Sequence, residues 1–143
     1  RSTDGGASFS NITNAPNATS YNVNVPGTNF NNYRYRVIVS NNVCPAVTSN
    51  AALLTVNPLP VVTLSAAPYT KLFPGLQTTV TATVVPAGGT IAWQRNGVVI
   101  PNTTNTVSVN VDNLGAFKAT VTGVGGCVGE SVVLNILDSA TSK

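Results

Sequence analysis

Histidine and methionine are absent from these 143 residues, which hold only four carboxylates and a single tryptophan. Without histidine, the usual general base, metal ligand and triad partner near neutral pH is missing. Asp4, Asp112, Glu130 and Asp138 stand far apart in the chain. A glycosidase pair or a calcium cage would have to be assembled from very few groups. The inventory points away from an enzyme and implies no metal and no cofactor. Charge is scarce as well, at 8% of residues, and the seven basic side chains form no run. Nucleic-acid binding, which needs clustered cations, is not expected. No apolar stretch reaches the roughly 18 residues of a membrane-spanning helix, so membrane insertion is not expected. The chain does not open on Met, and a secretion signal is expected to lie outside these residues.

What is abundant is valine, threonine and asparagine. Val and Thr favour strands and Asn favours turns. With 43% hydrophobic residues, disorder is disfavoured, and wetting must come from hydroxyls and amides. Apolar alternation with a period of two marks strands with one buried face. It runs through Tyr21–Val25, Tyr33–Val39, Leu54–Val56, Val80–Val84, Val107–Val111, Phe117–Val121 and Val132–Ile136. No window supports a helix of useful length. Asp4-Gly5-Gly6 and Asn96-Gly97 are hairpin signatures, because Asn and Gly accept positive φ. Pro58-Leu59-Pro60 interrupts the pattern as a stiff linker.

The landmarks on either side of that linker repeat. Asp4-Gly5-Gly6 matches Asn96-Gly97, and Ile12 matches Ile100. Tyr21, Val23 and Val25 match Val107, Val109 and Val111, while Tyr35, Val37 and Val39 match Phe117, Ala119 and Val121. Cys44 matches Cys127, and Val56 matches Ile136. Residues 1–57 therefore read as the C-terminal half of a unit that 61–138 shows complete, with 58–60 as linker and 139–143 as a tail. The fold expected is all-β: tandem β-sandwich units, the first incomplete on its N-terminal side. The front strands of the first unit are expected either in a longer parent chain or from a neighbouring one, since a half sandwich bares apolar surface and strand edges.

Leu72-Phe73-Pro74-Gly75, Trp93-Gln94-Arg95-Asn96-Gly97, Ile100-Pro101, Leu114-Gly115-Ala116-Phe117 and Gly125-Gly126-Cys127 resemble the immunoglobulin-like repeats of large secreted Bacteroidota adhesins. These are exported by the type IX system and include the gliding adhesins. Ser2–Phe9 and Asn41-Asn42-Val43-Cys44 are similar to matching stretches of such repeats. The resemblance covers nearly the whole chain. It implies an extracellular, cell-surface structural protein: a stalk, fibre or adhesin segment whose partners are neighbouring repeats of the same or an identical chain. A surface polysaccharide is a further candidate partner. Two alternatives stay open. One is a self-assembling filament subunit completed by strands from a neighbouring chain. The other is a carbohydrate-binding module of a secreted hydrolase.

Trp93 either stacks on a sugar or fills the sandwich core. Its place mid-strand after Ile91 favours the core, together with Phe117 and Tyr35. Arg34, Arg36 and Lys118 fall on the outward face of equivalent strands, where they keep a sheet face soluble or bind acidic polysaccharide. Asn11-Ile12-Thr13, Asn17-Ala18-Thr19 and Asn102-Thr103-Thr104 fit the N-glycosylation pattern but read as turns. Asp138-Ser139-Ala140 matches the short motif that Bacteroidota use for O-glycosylation, which makes Ser139 a candidate site in an exposed tail. Such repeats often bridge the terminal Cys to one before the second strand, where this chain has Phe73-Pro74-Gly75. Cys44 and Cys127 are not expected to bond to each other. Equivalent points in stacked units lie a domain length apart: a seven-residue strand alone spans about 23 Å, and a disulfide needs Cα atoms within about 7 Å.

Overall fold

The computed structural model describes residues 1–139. The chain divides after Asn57 into two units. Among the described residues no helix is long and apolar enough to cross a membrane.

The first unit contains four two-residue strands: β1 (Arg34–Tyr35), β2 (Ile38–Val39), β3 (Val47–Thr48) and β4 (Ala52–Leu53). β1 pairs antiparallel with β4, and β2 with β3. The run Tyr33–Val39, expected as one strand, is thus broken into β1 and β2. Tyr21–Val25, also expected as a strand, has no ladder partner, and Leu54–Val56 gives way to Ala52–Leu53. Alternation sets which face a segment shows, but a strand also needs a neighbour to bond. At Asp4-Gly5-Gly6 the chain makes a turn rather than a hairpin between strands, and Ser2 forms an isolated bridge with Arg34. Ser2 is the one buried residue described in this unit, which therefore holds no buried apolar side chain. Tyr35, expected in the core, is only half-buried.

The second unit is a closed sandwich. Its strands are β5 (Val61–Ala67), β6 (Lys71–Leu72), β7 (Thr78–Val85), β8 (Thr90–Arg95), β9 (Val98–Ile100), β10 (Thr106–Val109), β11 (Gly115–Thr122), β12 (Val128–Glu130) and β13 (Leu134–Asp138). One sheet has the order β10-β7-β5; the other runs β6-β13-β11-β8-β9, with β12 also on β11. Neighbours are antiparallel except β6 and β13, which run parallel. Inward residues Val62, Val80, Ala82, Val107 and Val109 of the first sheet meet Trp93, Phe117, Ala119, Val121 and Ile136 of the second in one buried cluster, with Val84 packed at its margin. The outward face of the β10-β7-β5 sheet is a hydroxyl ladder: Thr63, Ser65, Thr79, Thr81, Thr83, Thr106 and Ser108. Two facing, mainly antiparallel sheets around a buried tryptophan on a central strand make this an immunoglobulin-like sandwich.

Local chemistry explains the joints. Asn96 and Gly97 both have positive φ and turn β8 into β9, as a two-residue hairpin requires. β10 stops at Val109, two residues short of the expected Val111. Asn110 caps a short 3-10 turn at Val111–Asn113 by accepting the Asp112 amide at 2.9 Å. β13 begins at Leu134, leaving Val132 and Val133 exposed. Pro60, placed in the linker by sequence, is buried in the second unit. It lies so close to Gly129 that any β-carbon there would strike the Pro60 carbonyl.

Candidate functional site

Trp93 is completely buried, and its indole nitrogen donates to the Thr104 carbonyl at 2.8 Å. A ring so enclosed presents no face to a sugar. Arg34, Arg36 and Lys118 each have different local surroundings. The Arg36 guanidinium lies 3.8 Å from the centre of the Phe9 ring, Lys118 pairs with Glu130 at 2.7 Å, and Arg34 is half-buried. The Lys118 bond, and then its charge, hold the Glu130 carboxyl below its usual range. At Asn102 the side chain accepts from the Thr104 amide and hydroxyl, at 2.8 and 2.9 Å, so that side chain closes a turn. Among the described residues no group of three His, Cys, Asp or Glu is placed to hold a metal.

Asp4 ties the start of the chain. Ser2 Oγ donates to Asp4 Oδ1 at 2.6 Å and accepts from the Gly6 amide at 2.8 Å. Ser8 donates its hydroxyl to Asp4 Oδ2 at 2.5 Å and its amide to Oδ1 at 3.0 Å. The Ser2 bond first, then the two from Ser8, hold the Asp4 carboxyl well below the usual carboxylate range, because each favours the charged form.

Ser139 does not sit in an open tail. It is half-buried and its amide donates to the Leu72 carbonyl at 2.9 Å. Ala140 of the glycosylation motif and the rest of the tail lie outside the described residues. Cys44 is exposed and Cys127 half-buried.

The most informative surface belongs to the first unit, where the backbone pairing of the second is repeated. Arg34 opposite Leu53 and Tyr35 opposite Ala52 reproduce Ala116 opposite Asn135 and Phe117 opposite Leu134. Ile38 opposite Thr48 and Val39 opposite Val47 reproduce Thr120 opposite Glu130 and Val121 opposite Gly129. Between these pairs sits a serine clasp that sequence reading missed. The Val37 amide donates to Ser49 Oγ at 3.0 Å while the Ser49 amide donates to the Val37 carbonyl at 2.9 Å. Ala119 and Ser131 make the same two bonds at 3.0 and 2.9 Å. One constant shift in numbering carries every one of these positions onto its counterpart. That shift puts Leu54, not Val56, in the place of Ile136, and sets Cys44 one residue away from the position that answers to Cys127.

Burial differs sharply at matched positions. Ala119 and Val121 are 0% and 1% exposed, whereas Val37 and Val39 are 54% and 62% exposed. In the second unit the β10-β7-β5 sheet covers this face; the first unit has no such sheet.

No protein-family model matches the chain, and no curated protein does. Among solved structures, it resembles the three N-terminal domains of the bacteriophage RB49 Highly Immunogenic Outer Capsid protein (Hoc). The TM-score is 0.51 at 25% identity, over 55% of this chain and 29% of that one. It also aligns with the mouse nectin-like molecule 4 ectodomain (Ig1–Ig3), at TM-score 0.48 and 14% identity over 74% of this chain and 40% of that one. The N-terminal four Ig domains of Dscam1 isoform 7.44 align at TM-score 0.49 and 17% identity, over 74% and 27%. The chain thus spans less than half the length of each.

Proposed function

We propose that this chain is a non-catalytic repeat segment of a secreted bacterial cell-surface protein, serving as part of a stalk, fibre or adhesin. The observation that carries this reading is the same half-sandwich built twice along one chain, with matching registers and matching serine clasps. Repetition adds length unit by unit while keeping stability local to each unit. The likeness to domains of an outer capsid protein supports an exterior setting. The outward hydroxyl ladder and the near absence of charge suit a surface held in water by neutral groups. On the sequence resemblance, the parent is of the type IX-exported, gliding-adhesin kind, and Ser139 is its candidate O-glycosylation position.

Protease shaving of intact host cells, followed by an antibody against the second unit, tests the reading. The epitope should be lost from whole cells without lysis. A chain that is protected until lysis and fractionates with cytosolic proteins would refute it. Mass analysis of the native C-terminal peptide should show added glycan on Ser139.

A further inference from the structure

We infer that the outer edge of β5 is a self-association surface whose occupant is the β5 edge of a second copy of this chain. The two edges join antiparallel about a two-fold axis, with Leu64 opposite the partner's Leu64. The purified chain alone tests this, so the inference stands apart from where the protein acts.

The direction of each peptide group follows from the ladders. The Ala82 amide donates to the Asn105 carbonyl at 2.8 Å, so β7 turns the polar groups of Thr78, Val80 and Ala82 towards β10. Antiparallel pairing alternates, and Thr79, Thr81, Thr83 and Val85 therefore bond β5, at Ala67, Ser65, Thr63 and Val61. The amides and carbonyls of Val62, Leu64 and Ala66 are left pointing away from β7, at the end of the sheet. Among the described residues nothing bonds them. Sheet edges are commonly blunted by Lys, Pro or a bulge. The seven residues of β5 hold no Lys or Pro, and their register with β7 is unbroken.

The opposite edge of the same sheet is sealed. In β10, Val107 and Val109 bond β7 by the same alternation, so Thr106 and Ser108 turn their polar groups outward. The Thr106 carbonyl accepts from Asn102 Nδ2 at 2.8 Å and from Thr104 Oγ1 at 2.9 Å. Asn113 Nδ2 donates to the Ser108 carbonyl at 3.3 Å, and Asn113 Oδ1 accepts the Asn110 amide at 2.7 Å. Side-chain amides thus stand where the peptides of a neighbouring strand would. The end strands of the other sheet, β9 and β6, are three and two residues long. The long edge left open is β5.

The sequence of β5 suits its own copy. Pairing centred on Leu64 makes hydrogen-bonded pairs of Val62 with the partner's Ala66 and of Leu64 with the partner's Leu64, where the unbonded groups of both strands meet. Thr63 falls opposite the partner's Ser65, a hydroxyl pair of the kind that favours cross-strand contact, and the hydroxyl ladder continues from one copy into the next. Leu64 and Ala66 are half-buried and lie on the inner face with Val62. The strand carries no charge, so two copies meet without repulsion. A two-fold contact is closed, which limits the assembly to a dimer. An edge of this length spans about 23 Å, so the contact is small and reversible.

Sedimentation velocity of the full chain should show a monomer–dimer equilibrium. Amide exchange at Val62, Leu64 and Ala66 should slow at least about tenfold from dilute to concentrated samples. Thr63→Lys with Ser65→Lys, both at exposed positions, sets like charges opposite each other and should abolish the dimer. Thr63→Lys with Ser65→Glu sets unlike charges opposite each other and should restore it. Trp93 fluorescence checks that both variants keep the folded sandwich. A chain that stays monomeric at every soluble concentration overturns the inference. So does a dimer indifferent to the paired charges, or one that protects amides of the first unit or of β10 in place of those of β5.

Discussion

Val39 and Val121 offer an internal control, being the same residue type at matched positions with opposite burial. Truncating Val121 to Ala removes two methyl groups from a side chain that is 1% exposed. At about 0.8 kcal/mol per buried carbon, the transfer loss is about 1.6 kcal/mol. A residual cavity would add to this, by about 24 cal/mol per Å³ left unfilled. Val121 also borders an open cleft of about 380 Å³ between the sheets, lined by Val84, Gly89 and Ile91 among others. Neighbours on that side are free to relax, which keeps the cavity contribution small. Val121→Ala should therefore cost about 1.5–2.5 kcal/mol. Val39→Ala should change stability by no more than about 0.5 kcal/mol, as exposed substitutions do. Trp93 is the only tryptophan and lies in the second unit, so its fluorescence during urea unfolding reports that unit alone. The midpoint should fall for Val121→Ala with an unchanged slope, while Val39→Ala, which that probe does not see, should shift amide exchange in the first unit by no more than about 0.5 kcal/mol. Equal effects of the two substitutions would refute the claim that the matched faces differ in being covered.

Trp93→Ala should destabilise the second unit by about 3–5 kcal/mol, the range for buried large aromatics; far-UV circular dichroism replaces fluorescence as the probe. Ser131→Ala strands the buried Ala119 amide and should cost about 1–3 kcal/mol, whereas Ser49→Ala, at an exposed clasp, should cost far less, both read by hydrogen exchange at the affected amide. The Asp4 knot should keep its full contribution at and above the ordinary carboxylate range near pH 4 and lose it only as pH falls through the depressed folded value. The Ser8 amide should thus remain protected at pH 4, and loosening already near pH 5 would contradict the bonding described. Non-reducing peptide mapping should yield no peptide joining Cys44 to Cys127; finding one would end the extended-stalk reading.

The second unit was largely legible in the sequence. Alternation located β7, β11 and most of β10 and β13, and Asn-Gly located the β8–β9 turn. β5 went unread because Val61 and Val62 are adjacent apolar residues that blur the period, and β6, β9 and β12 are too short to show one. In the first unit the alternation was present but the long strands were not, because Tyr21–Val25 has no ladder partner and the Val37 amide is bonded to a serine hydroxyl instead of a ladder carbonyl. The repeat was legible as an order of landmarks, yet its exact register was not. Cysteine to cysteine is off by one residue, and the strand registers together with the serine clasps fix the shift. A serine is too common to announce itself as a clasp; its role arises from two backbone segments meeting.

The parallel pairing of Lys71 and Leu72 with Leu137 and Asp138 has a mechanical side. Because β6 near the entry of the second unit and β13 at its exit point the same way, a pull on the two ends drags these strands along each other in opposite directions. Their hydrogen bonds lie across that pull and are loaded in shear, together, instead of being unzipped one at a time. The same holds for β5, which pairs with β7 along its whole length, from Val61 opposite Val85 to Ala67 opposite Thr79. Tension entering at either end of this sandwich is thus met by strands lying along the line of force, and the unit resists extension until a whole ladder gives way at once.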